Sequence, residues 1–381
     1  MHHLEPHQTD CRPTMPRLVS ALLSPILLLA ACAGGDGGGQ GTLILGGAGP
    51  ESFLQAMELA LEDHIARGGV VIPEALLAHE VSSLAGPALE VAEELVSTPG
   101  LEAVVGHANS VASVATSQIY NRAEVLQIAP TSTAPIFAEA GPFSFRMVPS
   151  DASQGRFLAQ MLMDEFDPDA AIALLYVNDD YGRGLRRSVL DQLPPEGPTV
   201  KLDLPHTEGE LTLVDTEHTL HALAGEEVEG ILWLGRVPAL DLLLPGIRRE
   251  LGQVLVIGGD ALSRADLKTE LDSSWEGVRY TEFLDMDGSS ELQDFAQRFL
   301  DRTGGRAGAP EALSYDATML ILAALEAGAR TGEEIRQYLV ELGRERPPHQ
   351  GVTGPIAFTQ NREVTRGFVA REIRRFSGAH P

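Results

Sequence analysis

VVGHANSVASVATSQIYNRAEVLQIAPTSTAP, running from Val104 to Pro135, is the stretch that decides the fold. Val104 and Val105 form a short β-branched run that ends at Gly106, and Ser110 then opens a helical pattern carrying Val111, Val114, Ala115, Gln118 and Ile119. Ser110 is read as the N-cap of that helix. A second apolar run, Val125 to Ala129, stops at Pro130 and delivers the small hydroxyls Thr131, Ser132 and Thr133 to the same edge of a sheet. In an open α/β sheet, ligands bind beyond the carboxyl ends of the strands, where loops and helix N-termini present N–H groups and hydroxyls to an anion. Two hydroxyl loops at one edge therefore point to a site for a small carboxylate.

Working outward, the same alternation recurs. From Thr42 the chain reads LILGG, ESFLQAMELALEDHIARGG, LLAHEV, GPALEVAEELVSTPG and AVVG, a βαβα order that predicts a parallel, doubly wound sheet with right-handed crossovers. A second series follows, from AAIALLYVN through GILWLG to VLVIGG, so two such sheets and two lobes are expected. Between them lies the extended stretch FRMVPSD, and a second crossing is expected near GVRYTEFL. The helices EALSYDATMLILAALEAG and GEEIRQYLVELG would complete the first lobe. GPIAFTQNREVTRGFVAREIRRF has hairpin character around Asn361. The expected fold class is α/β, with two doubly wound parallel-sheet lobes. Lobe 1 takes residues 42–148 and 283–352, and lobe 2 takes 149–282 and 353–378.

The stretch from Val104 to Pro135, together with FSFRMVPSDASQGRFLAQ (Phe143 to Gln160) and NDDYGRGL (Asn178 to Leu185), resembles a family of ABC-transporter substrate-binding proteins. That family is the leucine/isoleucine/valine-binding group, which has the type I periplasmic-binding-protein fold. The resemblance weakens but persists in SYDATMLILAALEAG and GVTGPIAF, and covers most of the chain after residue 40. It implies three crossings between the lobes, forming a multi-strand hinge, and a return of the last segment to the second lobe. A ligand touching both faces of such a cleft stabilises the closed form relative to the open one.

The beginning of the chain carries targeting logic. The apolar stretch from Leu18 to Ala31 is shorter than the roughly twenty residues a bilayer requires and reads as the core of a signal peptide spanning residues 1–31. Met15 is a better start than Met1, because MPRLVS puts a short basic region directly before the apolar core. Leu29-Ala30-Ala31-Cys32 looks like a bacterial lipobox, a resemblance that implies cleavage before Cys32 and lipid on its sulfur and amino group. An ordinary small-residue cleavage site is the alternative. Residues 32–41, rich in glycine, read as a flexible tether. The only other cysteine, Cys11, precedes the cleavage point, which excludes disulfides, thiol catalysis and cysteine-based metal sites in the mature protein.

With 54 acidic against 28 basic residues, the formal charge is -26, which argues against nucleic acid and against electrostatic docking to anionic lipid. The expected membrane link is the lipid alone. No cofactor, metal or catalytic motif is called for: G-x-S-x-G, H-E-x-x-H and the phosphate-loop pattern are missing, and GGAGPE matches a dinucleotide loop only loosely.

Six residues are candidates for holding a ligand. The resemblance matches Ser110 and Thr133 to the hydroxyls that bind the ligand carboxylate, with Ser132 contributing backbone; helix capping and a turn hydroxyl are the plainer readings. Tyr181 follows a strand, and the family's tyrosine there packs over the ligand. Asp179 and Asp180 read as turn and helix N-terminal charges. Asp260 closes VLVIGGD and matches the acidic residue that pairs with the ligand's α-ammonium, or it caps the helix that follows. Arg236 stands where the family usually has an aromatic; it reaches a second ligand carboxylate or neutralises Asp260. GGAGPESF is shorter than the family's first ligand loop and lacks its aromatic. His107, without a nearby carboxylate pattern, reads as structural.

The function expected from these features is that of a lipid-anchored protein of the cell envelope, facing the periplasm or the exterior. It would bind an amino acid or close relative and deliver it to an ABC permease. A two-lobed scaffold or regulator of envelope enzymes that has lost its ligand, and a ligand sensor, are the alternatives.

Overall fold

The computed structural model describes residues 42–80, 84–207, 209, 213–267 and 271–374. The expected signal peptide, the expected lipidation site Cys32 and the expected tether of residues 32–41 lie outside them. Chain order begins β1 (Ile44–Gly49), α1 (Glu51–Ala66), β2 (Glu74–His79), α2 (Ala85–Val96), β3 (Leu101–Gly106), α3 (Ser110–Arg122), β4 (Leu126–Ala129) and β5 (Ser144–Arg146). These five strands pair in the order β2-β1-β3-β4-β5, all parallel. The chain then crosses and runs α4 (Asp151–Glu165), β6 (Ala171–Val177), α5 (Asp180–Gln192), β7 (Thr199–His206), α6 (Leu213–Gly225), β8 (Gly230–Leu234), α7 (Val237–Leu251), β9 (Leu255–Gly258) and β10 (Arg279–Glu282). It returns to the first lobe with α8 (Ser290–Thr303), α9 (Ala309–Glu326), α10 (Gly332–Glu341) and the hairpin β11 (His349–Gly351) and β12 (Gly354–Ile356), before closing on β13 (Val369–Glu372). The second sheet has the order β13-β10-β9-β8-β6-β7, with β13 antiparallel on the edge.

The inner strands of both sheets are covered on both faces, which is why strands such as β6 and β8 read as continuous apolar runs, whereas the edge strand β7 alternates. In β6, Ile172 and Leu174 face Leu158, Leu162, Leu185 and Val189, while Ala173 and Leu175 face the opposite core with Trp233, Leu240 and Leu244. The first sheet likewise packs Leu45, Val105 and Phe145 against Met57, Leu313 and Phe295, and Ala48 and Val104 against Ala92, Leu95 and Tyr120. Each fully buried aliphatic or aromatic side chain contributes roughly 1.5–3 kcal/mol.

The chain passes between lobes three times: after β5, after β10 and before β13. The expected division is corrected at its last boundary. Residues 353–364 do not join lobe 2, because Ile356, Phe358 and Val364 lie in the core of lobe 1, and the Arg362 guanidinium donates to the Ser144 carbonyl at 3.1 Å. Hairpin character around Asn361 is present, with Phe358 and Val364 bridged antiparallel, but it packs on the first sheet. Only β13 pairs with the second.

Arg146, at the end of β5, ties these parts together. It is 1 % exposed and donates through Nη1 to the carbonyls of Ser132, Thr133 and Ala134 at 3.4, 2.9 and 2.9 Å. Its Nε lies 3.5 Å from a Glu363 carboxylate oxygen, and the guanidinium stands over the Phe137 ring. Three consecutive carbonyls held by one buried cation fix the conformation of the loop after β4. Replacing Arg146 by Met removes this donor from the three carbonyls and the cation from beside Glu363, and is expected to cost about 3–5 kcal/mol. Urea unfolding measures it; a loss below about 1 kcal/mol would mean that the loop holds its shape unaided.

Candidate functional site

A sheet ordered β2-β1-β3-β4-β5 has its topological switch between β1 and β3, and a ligand site opens beyond the carboxyl ends there. The second sheet repeats the pattern as β7-β6-β8-β9-β10, with its switch between β6 and β8. These two edges face each other across a cleft of about 410 Å³. From lobe 1 come Pro50 after β1, Ala108, Asn109 and Ser110 after β3, and Thr131 after β4. From lobe 2 come Tyr181 after β6, Arg236, Val237 and Pro238 after β8, and Asp260 and Ala261 after β9.

On the first lobe, the helix start differs from its expectation. Asn109, not Ser110, is the N-cap of α3: its side chain accepts from the Ala112 N–H at 3.0 Å. Freed from capping, the Ser110 hydroxyl accepts from the Ala134 N–H at 3.2 Å and lines the cleft. The Thr131 hydroxyl donates to the Ala108 carbonyl at 2.8 Å, which ties the two hydroxyl loops together. Ser132 turns away from the cleft, its hydroxyl donating to the Ser113 hydroxyl at 2.6 Å. Thr133 is buried beneath the same loop, with its carbonyl taken by Arg146 and by the Asp151 N–H at 2.9 Å. His107 is structural: its ring lies between a Glu80 carboxylate oxygen at 2.5 Å and the Tyr120 hydroxyl at 3.1 Å, fully buried behind the loop.

On the second lobe, NDDYGRG builds the tyrosine platform. Asp179, read from the sequence as a turn charge, caps α5 by accepting from the Gly182 N–H at 3.0 Å. Only glycine fits at 182, since a Cβ there would stand 1.9 Å from the Val177 carbonyl oxygen. The Tyr181 hydroxyl donates to Asp260 at 3.0 Å, an approach that Gly259 permits, because a Cβ at that position would meet the hydroxyl at 2.5 Å. Asp260 opens a 3-10 helix, Asp260–Leu267, at the end of β9. Burial pushes its carboxyl from the ordinary value of 3.8 up to about 6, against hydrogen bonds from Gln154 and Tyr181 that pull the other way. Burial, followed by the charges of Asp260 and Asp151, also pushes the Tyr181 phenol well above its usual range.

Arg236, the N-cap residue of α7, reaches back to Asp179 with an Nη2–carboxylate separation of 2.8 Å and lies over the Tyr181 ring at 5.7 Å. Asp179 is thus a carboxylate partner of Arg236, whose charge also acts on Asp260 as a smaller effect.

Four of the six candidates, Ser110, Tyr181, Arg236 and Asp260, line the one cleft, whereas Ser132 and Thr133 stand behind its wall. The sequence reading missed Phe53 and Phe283. The first loop does have an aromatic at the cleft, because Phe53 enters from the first turn of α1, three residues after Pro50. It also missed Asp151, which is wholly buried and whose two carboxylate oxygens make no well-formed hydrogen bond; burial, then the charge of Asp260, hold it well above the usual carboxylate range. A start-of-helix aspartate carries no sequence sign of that environment.

Residues 46–375 match the family model described as periplasmic binding protein. The Leu/Ile/Val-binding protein homolog 1 of Brucella suis is 27% identical over 263 residues, covering 68% of each chain. Among solved structures, a substrate-binding protein of an ABC transporter from Desulfitobacterium hafniense, in complex with Leu, aligns with a TM-score of 0.72 at 24% identity, covering 88% of this chain and 98% of that one. A solute-binding protein of an ABC transporter from Rhodopseudomonas palustris, in complex with 3,4-dihydroxy benzoic acid, aligns with a TM-score of 0.76 at 15% identity, covering 88% and 94%. The likeness to these structures is one of fold, and the sequence match over residues 46–375 places the chain within a family: it is a member of the periplasmic binding protein family.

Proposed function

We propose that this protein binds a small amino acid or a close relative between its lobes and delivers it to an ABC permease, as a lipid-anchored protein of the cell envelope. The observation that carries the reading is the pairing across the cleft of unlike chemistries. Lobe 1 offers hydroxyls and the N-terminus of α3, which suit a carboxylate; lobe 2 offers the buried Asp260, held by Tyr181, which suits an ammonium. Phe53, Phe283 and the prolines Pro50 and Pro310 supply apolar wall between them. The names of the Brucella and Desulfitobacterium relatives support an amino-acid ligand. The Rhodopseudomonas relative holds an aromatic acid, for which a desolvated carboxylate such as Asp260 would be a poor neighbour. For the anchor, the support is the lipobox-like Leu29-Ala30-Ala31-Cys32 and the tether after it.

Asp260→Ala is expected to weaken binding of an α-amino ligand at least about tenfold, through loss of the partner to a desolvated charge. Calorimetry against an amino-acid panel measures it, and an unchanged affinity would refute the role. The pH profile has a definite sign. An ammonium pairs with ionised Asp260, whose carboxyl titrates near about 6, so affinity holds above that value and declines as pH falls through it, towards about tenfold per further unit. Asp260→Asn is expected to flatten that decline. The empty protein behaves in the opposite sense. With its folded value raised above 3.8, Asp260 keeps a proton that the unfolded chain has lost, and its contribution to stability falls as pH rises from about 4 to about 6. For the anchor, Cys32→Ser should move the protein from the membrane to the soluble fraction; retention on membranes would contradict lipidation.

A further inference from the structure

The cleft is unusual in how its charge is distributed. Among the described residues that line it, Arg236 is the only basic one, and Asp260 is the acidic one. Arg236 already has a carboxylate at 2.8 Å, that of Asp179, and the pair is held from both sides. Asp179 is fixed as the cap of α5 through the Gly182 N–H, and Arg236 starts α7 and lies over the Tyr181 ring. Arg236 lines the cleft with a side-chain exposure of 17 %, so a ligand's side chain can meet it beside Asp179. His206, behind them, is pushed down to about 4, chiefly by burial and then by Arg236, and so adds no positive charge at neutral pH. Asp180, the neighbouring acid, is engaged with Arg183 at 3.3 Å.

An incoming ligand with a second carboxylate would have to take Arg236 from Asp179. That exchange would leave two carboxylates side by side and Asp179 without its cation, a repulsive element of the kind that sets specificity against a competitor. An amino acid with an uncharged side chain leaves the pair intact. We propose that Asp179 is a specificity-determining residue: by occupying Arg236, it excludes dicarboxylic amino acids from a cleft that accepts uncharged ones. The inference rests on the amino-acid reading above and concerns only which side chains that site tolerates.

The substitution Asp179→Asn keeps the shape and the capping oxygen, since asparagine caps helices as well as aspartate does, and removes the charge that occupies Arg236. Affinities for L-glutamate and for a panel of uncharged amino acids are measured by calorimetry on the purified full-length chain and on the variant. In the parent protein, L-glutamate is expected to bind more weakly than the best uncharged ligand. In Asp179→Asn, the ratio of glutamate affinity to that of the same uncharged ligand is expected to rise at least about tenfold, as the repulsion between Asp179 and the ligand's second carboxylate is removed. Adding Arg236→Met should abolish the rise, and Asp203→Asn, which removes a charge from the Arg186–Asp203 pair of the same lobe, should leave the ratio unchanged. Asp179→Ser, which also caps, serves if the asparagine variant fails to fold. An unaltered ratio in a folded variant that still binds the uncharged ligand overturns the inference and leaves the amino-acid reading standing, as does a parent protein that prefers glutamate. A parent that binds no amino acid in the panel defeats the reading itself, and the inference with it.

Discussion

A guanidinium buried to 1 % exposure would be expensive without partners, and Arg146 finds its partners in the loop after β4, at the edge of the cleft. Its donation to the carbonyls of Ser132, Thr133 and Ala134 turns those groups inward, so that the neighbouring N–H of Ala134 meets the Ser110 hydroxyl and the Thr131 hydroxyl meets Ala108. Glu363, beside the same guanidinium, belongs to the segment that precedes the third crossing, and the Asp151 N–H, bonded to Thr133, belongs to the segment that follows the first. The lobe 1 side of the cleft and two of the crossing segments therefore share one buried charge.

Lobe 2 faces this edge with the same sheet order and the opposite chemistry. Strand ends at both switch points deliver the side chains of the cleft within a few residues of each strand, which keeps the cleft between the two sheets. The Tyr181–Asp260 hydrogen bond is buried, and burial raises Asp260 to about 6, so the ionised carboxylate is poorly solvated until a cation arrives. On the proposed reading, a ligand that supplies both a carboxylate and an ammonium would engage both lobes, and that differential contact would favour closure.

Much of this was legible in the chain. Apolar runs such as AIALLYV and GILWL, separated by helical periods, are what two-sided parallel strands require, and both sheets followed. Tyr181 beyond β6 and Asp260 beyond β9 were placed by their position at strand ends, while Asp179, read as a turn charge, turns out to cap α5. What failed was local competition and distant packing. Asn109 and Ser110 are adjacent cap-forming residues, and periodicity cannot choose between them. Residues 353–364 carry no sign of which sheet will receive them, since Phe358 finds Phe145 across two hundred residues of chain. Ser132 could not be separated from Thr131 by type, and Arg146 and Asp151, quoted within FRMVPSD, owe their roles to burial that spacing does not encode.

The central claim is that the two jaws together recognise a molecule with a carboxylate and an amine. Mass spectrometry of the small molecules released on denaturing natively purified protein tests it most directly. The account predicts a stoichiometric primary-amine carboxylic acid with an uncharged side chain; a carboxylic acid that lacks an amine, such as a benzoate, would contradict it.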